Sequence, residues 1–486
     1  MHGPIIKRFK INGLYGYKDV EITFNDNLLI LIAGNGSGKT TVLNALHAFL
    51  RRRFYRLQSL EFSSIECEFF ALDHSVELRK ETIGATKNDT HERLARLAHE
   101  SGVSEEDLYD FISSDYISGR SAASVRNSSI IRRLYTNTSM DHADIYSVLD
   151  DIAAGLSFNN TIELRQVGDA VGAALGEVDI LYLPTYRRIE NPLLSPRARN
   201  RKGHVIGAAR HMATLKASAS LDTGNINFGL EDVELRLAEL SDEVERISNF
   251  EYRNASATII DDALSGSIKF ESPSRGALPD LDSLKRFLSR VSRDSRSVVD
   301  SYKVPSISDT QNEKRISAIA ALYESGDISN EDQILLRYFL RRLGGVIEKT
   351  KETEAMLQRF VDACNSYLSD SNEEKVFTYD QNLMQVAVIN SWTSRPIPLS
   401  QLSSGEKQIV SILAKLYLYE RQKLVLVDEP ELSLSIEWQR RILPDMLRSG
   451  SVCQLLAITH SPFVFDNELD PYAGTLKVAK NSQGLF

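Results

Sequence analysis

Cysteine is nearly absent from this chain of 486 residues: Cys67, Cys364 and Cys453 stand far apart, giving neither a disulfide framework nor a CxxC metal knuckle. That scarcity favours a reducing, cytoplasmic setting. No apolar run approaches the roughly 18 residues of a membrane-spanning helix, which argues against an integral membrane protein. The segment Met1 to Lys10 has basic residues but no apolar core and no small-residue cleavage site, so a secretory leader is not expected. Positive charge is not in excess either. The 57 Lys and Arg face 66 Asp and Glu, a net charge of -9, which argues against a histone-like coat on nucleic acid. What is present, 42% hydrophobic and 25% charged residues, is ordinary globular composition, and the length allows about three domain equivalents at roughly 150 residues each.

Residues Ile5 to Phe24 alternate apolar and polar side chains around Asn12-Gly13 and Gly16, as paired strands do. Leu28 to Ala33 is a continuous apolar run, the pattern of a strand buried on both faces. After a glycine-rich stretch, Val42, Ala45, Leu46, Phe49 and Leu50 recur at helical spacing. Ser64 to Phe70 and Ser75 to Lys80 alternate again and predict antiparallel strands. From about Ile83 to Asn160 the chain is polar and Ser-rich with scattered helical spacing and no recognisable chemistry. Val178 to Leu183 predicts a strand ended by Pro184. Val233, Leu237, Leu240, Val244 and Ile247 form a coiled-coil seam, and Ile347 to Leu368 predicts its antiparallel partner, each arm about 30 Å long at 1.5 Å per residue. Ile334 to Leu343 reads as a separate helix interrupted by Gly344-Gly345. No internal repeat is evident.

Three strings carry chemistry. AGNGSGKT, Ala33 to Thr40, lies between a buried strand and an amphipathic helix, the context a phosphate-binding loop needs. Asn35, Gly36, Ser37, Gly38, Lys39, Thr40 and Thr41 are its candidate ATP-binding set. Gly36 and Gly38 let the backbone approach phosphate, Lys39 reaches the β and γ phosphates, and the Thr40 hydroxyl suits Mg²⁺. Ala33 stands where a glycine is usual, which requires a negative φ there. LVLVDEP, Leu424 to Pro430, is an apolar strand ending in two acids, costly at a core edge without a cation or a proton to handle. Asp428 is the metal candidate and Glu429 the general base. LSSGEKQ, Leu402 to Gln408, opens a helix, with Ser403 and Glu406 at capping-box spacing.

In this order, the strings resemble the motifs of ABC-type ATPases, especially the SMC and RecF-like branch, over roughly residues 1 to 80 and 375 to 465. The resemblance implies an α/β fold: a P-loop ATPase head of mixed sheet, flanking helices and an antiparallel β lobe, with a helical, short coiled-coil insertion. It also implies a head-to-tail homodimer in which Ser403, Ser404, Gly405 and Glu406 form the signature facing the γ-phosphate held by a second subunit. ELSLS, Glu431 to Ser435, matches the D-loop, and His460 in ITHSP matches the switch histidine of the catalytic set. The lobe-linking glutamine of the family has no counterpart in LPTYRR; Gln58 and Gln166 are poorly placed, leaving Tyr186 or Arg187.

The expected division is 1–190 for the first part of the head, 191–374 for a basic loop and insertion, and 375–486 for the remainder. So large an insertion disfavours a transport ATPase, and the short stretch after His460 leaves no room for the nuclease domain of the overcoming-lysogenization-defect family. No nuclease site of its own is therefore expected. The short coiled coil together with LYLPTYRRIE, Leu181 to Glu190, resembles the PtuA ATPases of Septu and retron anti-phage systems. That resemblance implies a partner HNH nuclease and, in retrons, a reverse transcriptase with its RNA–DNA hybrid. The alternative is a RecF or SMC-like repair clamp on DNA. Arg187 to Lys216 holds eight Lys or Arg and one acid, Glu190. Arg197, Arg199, Arg201 and Lys202 are its candidate nucleic-acid or partner surface, or else a solvated loop. Arg286, Arg290 and Arg293 make a second, weaker stripe.

Overall fold

The computed structural model describes residues 3–32, 38–83, 88–103, 105–116, 128–138, 140–158, 162–184, 230–265, 278–291, 307–329, 333–369, 374–381 and 384–480. The chain divides into two compact units, Met1–Asn227 with Arg421–Phe486, and Phe228–Glu420. Residues 375–420 therefore group with the insertion, although the sequence division places them in the head. Packing explains this: Phe360 meets Phe377 edge-on at 5.9 Å, and the Asn365 amide exchanges hydrogen bonds with the Phe377 backbone at 2.7 and 2.8 Å.

In the first unit the alternating segments become β1 (Ile6–Leu14) and β2 (Lys18–Thr23), antiparallel with Phe9 opposite Ile22 and Ile11 opposite Val20. The register shifts after Ile11, where Gly13 has φ +67° and a Cβ would sit 2.5 Å from the Ser63 hydroxyl, so only glycine fits. β4 (Ser64–Phe69) and β5 (Val76–Arg79) extend this sheet in the order β13-β2-β1-β4-β5, with β13 being Lys477–Lys480. A second sheet, β12-β3-β11-β10-β6, is wholly parallel. It comprises β3 (Leu28–Ile32), β6 (Asp179–Leu183), β10 (Lys423–Asp428), β11 (Val452–Thr459) and β12 (Ala473–Thr475). Every residue of β10 is buried, as a continuous apolar run predicts for a central strand. Helix α1 (Lys39–Leu50) turns Val42, Ala45, Leu46, Phe49 and Leu50 into the core between the sheets.

The Ser-rich stretch without recognisable chemistry is a helical cluster. It comprises α2 (Asn88–Ser101), α3 (Glu105–Asp110), α4 (Ser129–Asn137) and α5 (His142–Phe158), built around its own core of Leu94, Leu108, Leu134, Leu149 and Ile152. Helix α6 (Ile162–Leu175) then leads into β6.

The second unit is dominated by α7 (Glu231–Leu264) and α10 (Ile334–Leu368). Lys349 pairs with Glu251 at 2.7 Å and Tyr338 with Asp262 at 2.5 Å, so the two helices run antiparallel. At 34 and 35 residues each spans about 50 Å. The expected 30 Å arms and the break at Gly344-Gly345 are thus corrected: α10 passes through both glycines. Two glycines cost about 2 kcal/mol of helix propensity. Leu340, Leu343, Val346 and Ile347 offset this by packing on Leu284 and Phe287 of α8 (Leu281–Val291). Helix α9 (Ile307–Ser325), the three-stranded sheet β7 (Lys375–Asp380), β8 (Gln385–Asn390) and β9 (Pro396–Ile397), and α11 (Ser404–Tyr417) complete this unit.

Candidate nucleotide-binding site

Three parallel strands stop at one level: Thr459 of β11 lies beside Ile32 of β3, and Ile458 beside Asp428 of β10. Their carboxyl ends form the edge at which ligands of open parallel sheets collect. Gly38, with φ +85°, turns the chain into α1 and as its N-cap makes no side-chain hydrogen bond, so the N–H groups and positive end of the helix start can serve an anion. The Thr40 hydroxyl donates to Asp428 Oδ2 at 2.9 Å. Asp428 is 2% exposed, and a hydroxyl beside a buried carboxylate is the hard-oxygen pair that fits Mg²⁺. Among the described residues no group of three His, Cys, Asp or Glu side chains could hold a metal.

Glu429 follows with φ +53°, a left-handed conformation that costs a non-glycine residue about 1 kcal/mol or more. Its N–H is held by the Ile458 carbonyl at 2.8 Å. Its carboxylate lies 3.7 Å from His460 Nε2, and the same imidazole meets the Lys39 ammonium. Burial lowers the Lys39 pKa while Glu429, Asp428 and Glu431 pull it back up. The Tyr15 hydroxyl, from the β1–β2 turn, bonds the Thr41 hydroxyl at 2.8 Å. Lys39, Thr40, Thr41, Asp428, Glu429 and His460 are thereby brought together from positions up to 421 residues apart.

The signature string lies in the other unit. Ser403 caps α11 in a full capping box: its hydroxyl accepts the Glu406 N–H, and Glu406 Oε2 accepts the Ser403 N–H at 2.6 Å. Ser403 and Ser404 are exposed and Gly405 is buried. Glu406 is 2% exposed with Lys375 at 3.1 Å, so its carboxylate holds the helix start and its positive neighbour rather than facing outward. Asn35, Gly36, Ser37, Tyr186, Arg187, Arg197, Arg199, Arg201, Lys202 and Arg293 lie outside the described residues.

A family model described as "AAA ATPase domain" matches residues 5–272, more than half of the chain. The chain belongs to that family. A second model, "AAA domain, putative AbiEii toxin, Type IV TA system", matches residues 393–466. No curated protein matches. Among solved structures, the Smc head domain with an extended coiled coil bound to the C-terminal domain of ScpA, from Pyrococcus furiosus, aligns at 12% identity and TM-score 0.33 over 98% of this chain and 96% of that one. The Smc head domain with a coiled coil and joint from Pyrococcus yayanosii aligns at 13% identity and TM-score 0.30 over the same shares. TM-scores this low do not establish a common fold, and the α/β class rests on the sheets described above. Among the described residues, no helix of this AAA ATPase is long and apolar enough to cross a membrane.

Sequence reasoning missed three residues of the candidate site. Tyr15 stands in a turn read only for its glycines. Glu431 was read as part of the ELSLS match alone, yet its buried carboxylate carries the His460 loop. Gln439, on α12 (Ile436–Arg448), carried no signal, because a polar residue on an amphipathic helix is unremarkable until its partners are seen.

Proposed function

We propose that this AAA ATPase is the nucleotide-switched subunit of an anti-phage assembly. It binds Mg-ATP, closes head-to-tail with a second copy, and scaffolds and restrains a separate HNH nuclease, in retron forms alongside a reverse transcriptase. The observation that carries the ATP part is the meeting of Lys39, Thr40, Asp428, Glu429 and His460 at one end of the parallel sheet. The nuclease part is supported by the resemblance of the LPTYRR string and the paired α7 and α10 helices to PtuA-type ATPases.

Lys39 and the start of α1 neutralise and orient the phosphates. Thr40 and Asp428 would hold Mg²⁺, which when bound supplies further positive charge against the β and γ phosphates. The Glu429 carboxylate orients the attacking water and takes its proton, while the strained backbone fixes the direction of that carboxylate. His460 reads the γ-phosphate, and exposed Ser403 and Ser404 with Gly405 complete the site of the other subunit.

Lys39→Ala is expected to weaken ATP binding about tenfold or more, because it removes the buried cation of the site. Glu429→Gln is expected to bind ATP with unchanged affinity, lower kcat about 10²-fold or more, and accumulate closed dimer in size-exclusion chromatography with ATP. A wild-type steady-state rate for Glu429→Gln would remove the general-base assignment. Co-purification of the tagged chain with mass spectrometry tests the assembly: an HNH nuclease supports it, whereas recombination proteins with duplex DNA favour the repair clamp.

A further inference from the structure

The Glu431 carboxylate, 9% exposed, lies under the turn that follows β11. Its Oε1 accepts the backbone N–H groups of His460 at 2.8 Å and Ser461 at 3.2 Å, and its Oε2 accepts the Thr459 hydroxyl at 2.8 Å. From α12, the Gln439 amide donates to the carbonyls of Glu431 at 3.3 Å and Leu434 at 3.0 Å, and accepts the Ser461 hydroxyl at 2.7 Å. Residues 431–435 are therefore tied to 459–461 through both side chain and backbone. A buried carboxylate is tolerated only while such bonds are made, so slackening this contact is costly. Ser433, with φ +66°, and the Ser435 cap of α12 stiffen the same stretch.

We propose that Glu431 and Gln439 are positioning residues that make 431–435 and 459–461 one body. They hold the imidazole of His460 against Lys39 and Glu429 and transmit any displacement of His460 to the segment 431–435. The inference rests on the reading of His460 as the group that meets the γ-phosphate. It competes with a simpler role in which Glu431 acts by its charge on Lys39.

Glutamine separates the two roles. In Glu431→Gln the amide oxygen still accepts from the His460 and Ser461 N–H groups. The amide nitrogen faces the Thr459 hydroxyl, which can accept from it while donating to the Ser461 carbonyl, already 3.3 Å away. Geometry survives and charge does not.

The test is steady-state hydrolysis, ATP affinity and thermal melting of the full chain. Glu431→Ala is expected to lower kcat about 10- to 100-fold with ATP affinity changed less than about threefold, as a misplaced catalytic group does. Glu431→Gln should remain within about threefold of wild type in kcat, and Gln439→Ala should lose about three- to tenfold. In a His460→Ala background neither alanine substitution should slow hydrolysis further, because residues acting through one group are not additive. If Glu431→Ala loses its cooperative melt, Gln439→Ala carries the same comparison with the buried carboxylate and its donors intact. Equal losses for Glu431→Ala and Glu431→Gln, or losses that multiply with a slow His460→Ala, overturn the inference alone. A wild-type rate for His460→Ala overturns the histidine reading and this inference with it.

Discussion

His47 shows how this ATPase spends a titratable group on packing. Its imidazole, 4% exposed on α1, packs against Tyr182 of β6 with centroids 4.7 Å apart and the rings tilted by 30°. Burial, with help from Arg51, Arg53 and Arg56, lowers its pKa from 6.5 to about 3. The folded state therefore keeps the ring neutral where the unfolded chain protonates it. Unfolding takes up a proton as pH falls below 6.5, so stability is full above that value and declines toward pH 3. The expected slope from this one group is up to about 1.4 kcal/mol per pH unit. His47→Phe keeps a ring on Tyr182 and carries no proton, so urea unfolding between pH 6.5 and 4 should show a shallower pH dependence for the variant. An identical slope would show that His47 does not set it. The residues legible from sequence share a property His47 lacks: Lys39, Thr40, Asp428, Glu429 and His460 each stand where a strand ends or a helix begins, and such boundaries are written in local pattern. Glu431 and Gln439 act across two segments, and spacing along one segment does not encode that.

Among the elements, one polar side chain in the middle of a mostly apolar strand ties the two sheets of the first unit together by hydrogen bonds. Gln454 of β11, 1% exposed, accepts the N–H groups of Ile5 and Ile6 at 3.0 and 2.8 Å and donates to the Ile6 carbonyl at 2.8 Å. Gln454→Leu fills similar space but strips all three groups of this partner. At about 1–3 kcal/mol for each buried group left unsatisfied, the variant should lose a few kcal/mol and melt well below wild type. A melting temperature within a degree of wild type would mean that water or a shifted β1 replaces the amide. The same scale explains where the helices departed from expectation. Glycine in sequence argues for a stop, but Gly344 and Gly345 sit in a helix whose packing outweighs their propensity. The 88–158 stretch hid its cluster because each short helix buries only one or two side chains per turn, a weak periodic signal in a polar background.

For the molecule as a whole, the ends of the chain make one body and its middle another. β3 lies between β11 and β12, and β2 between β1 and β13, so both sheets contain strands from both terminal parts. All six residues of the candidate site that the structure brings together belong to this body, and Ser403, Ser404 and Gly405 belong to Phe228–Glu420. Replacing residues 228–420 by a short flexible linker should therefore separate two steps. The return from the end of β6 to the start of β10 is only about 20 Å, which the retained residues 184–227 cover easily. The shortened protein is expected to bind a fluorescent ATP analogue within about threefold of wild-type affinity, because Lys39, Thr40 and Asp428 remain. It should also turn over ATP at least about tenfold more slowly, with no rise in specific activity as protein concentration increases, because in the proposed head-to-tail dimer it lacks the signature that would complete a second copy's site. Full turnover would show that hydrolysis needs no signature. Loss of binding by a protein that still melts cooperatively would show that phosphate binding draws on residues of the second unit, and the head would then have to be counted as both bodies rather than one.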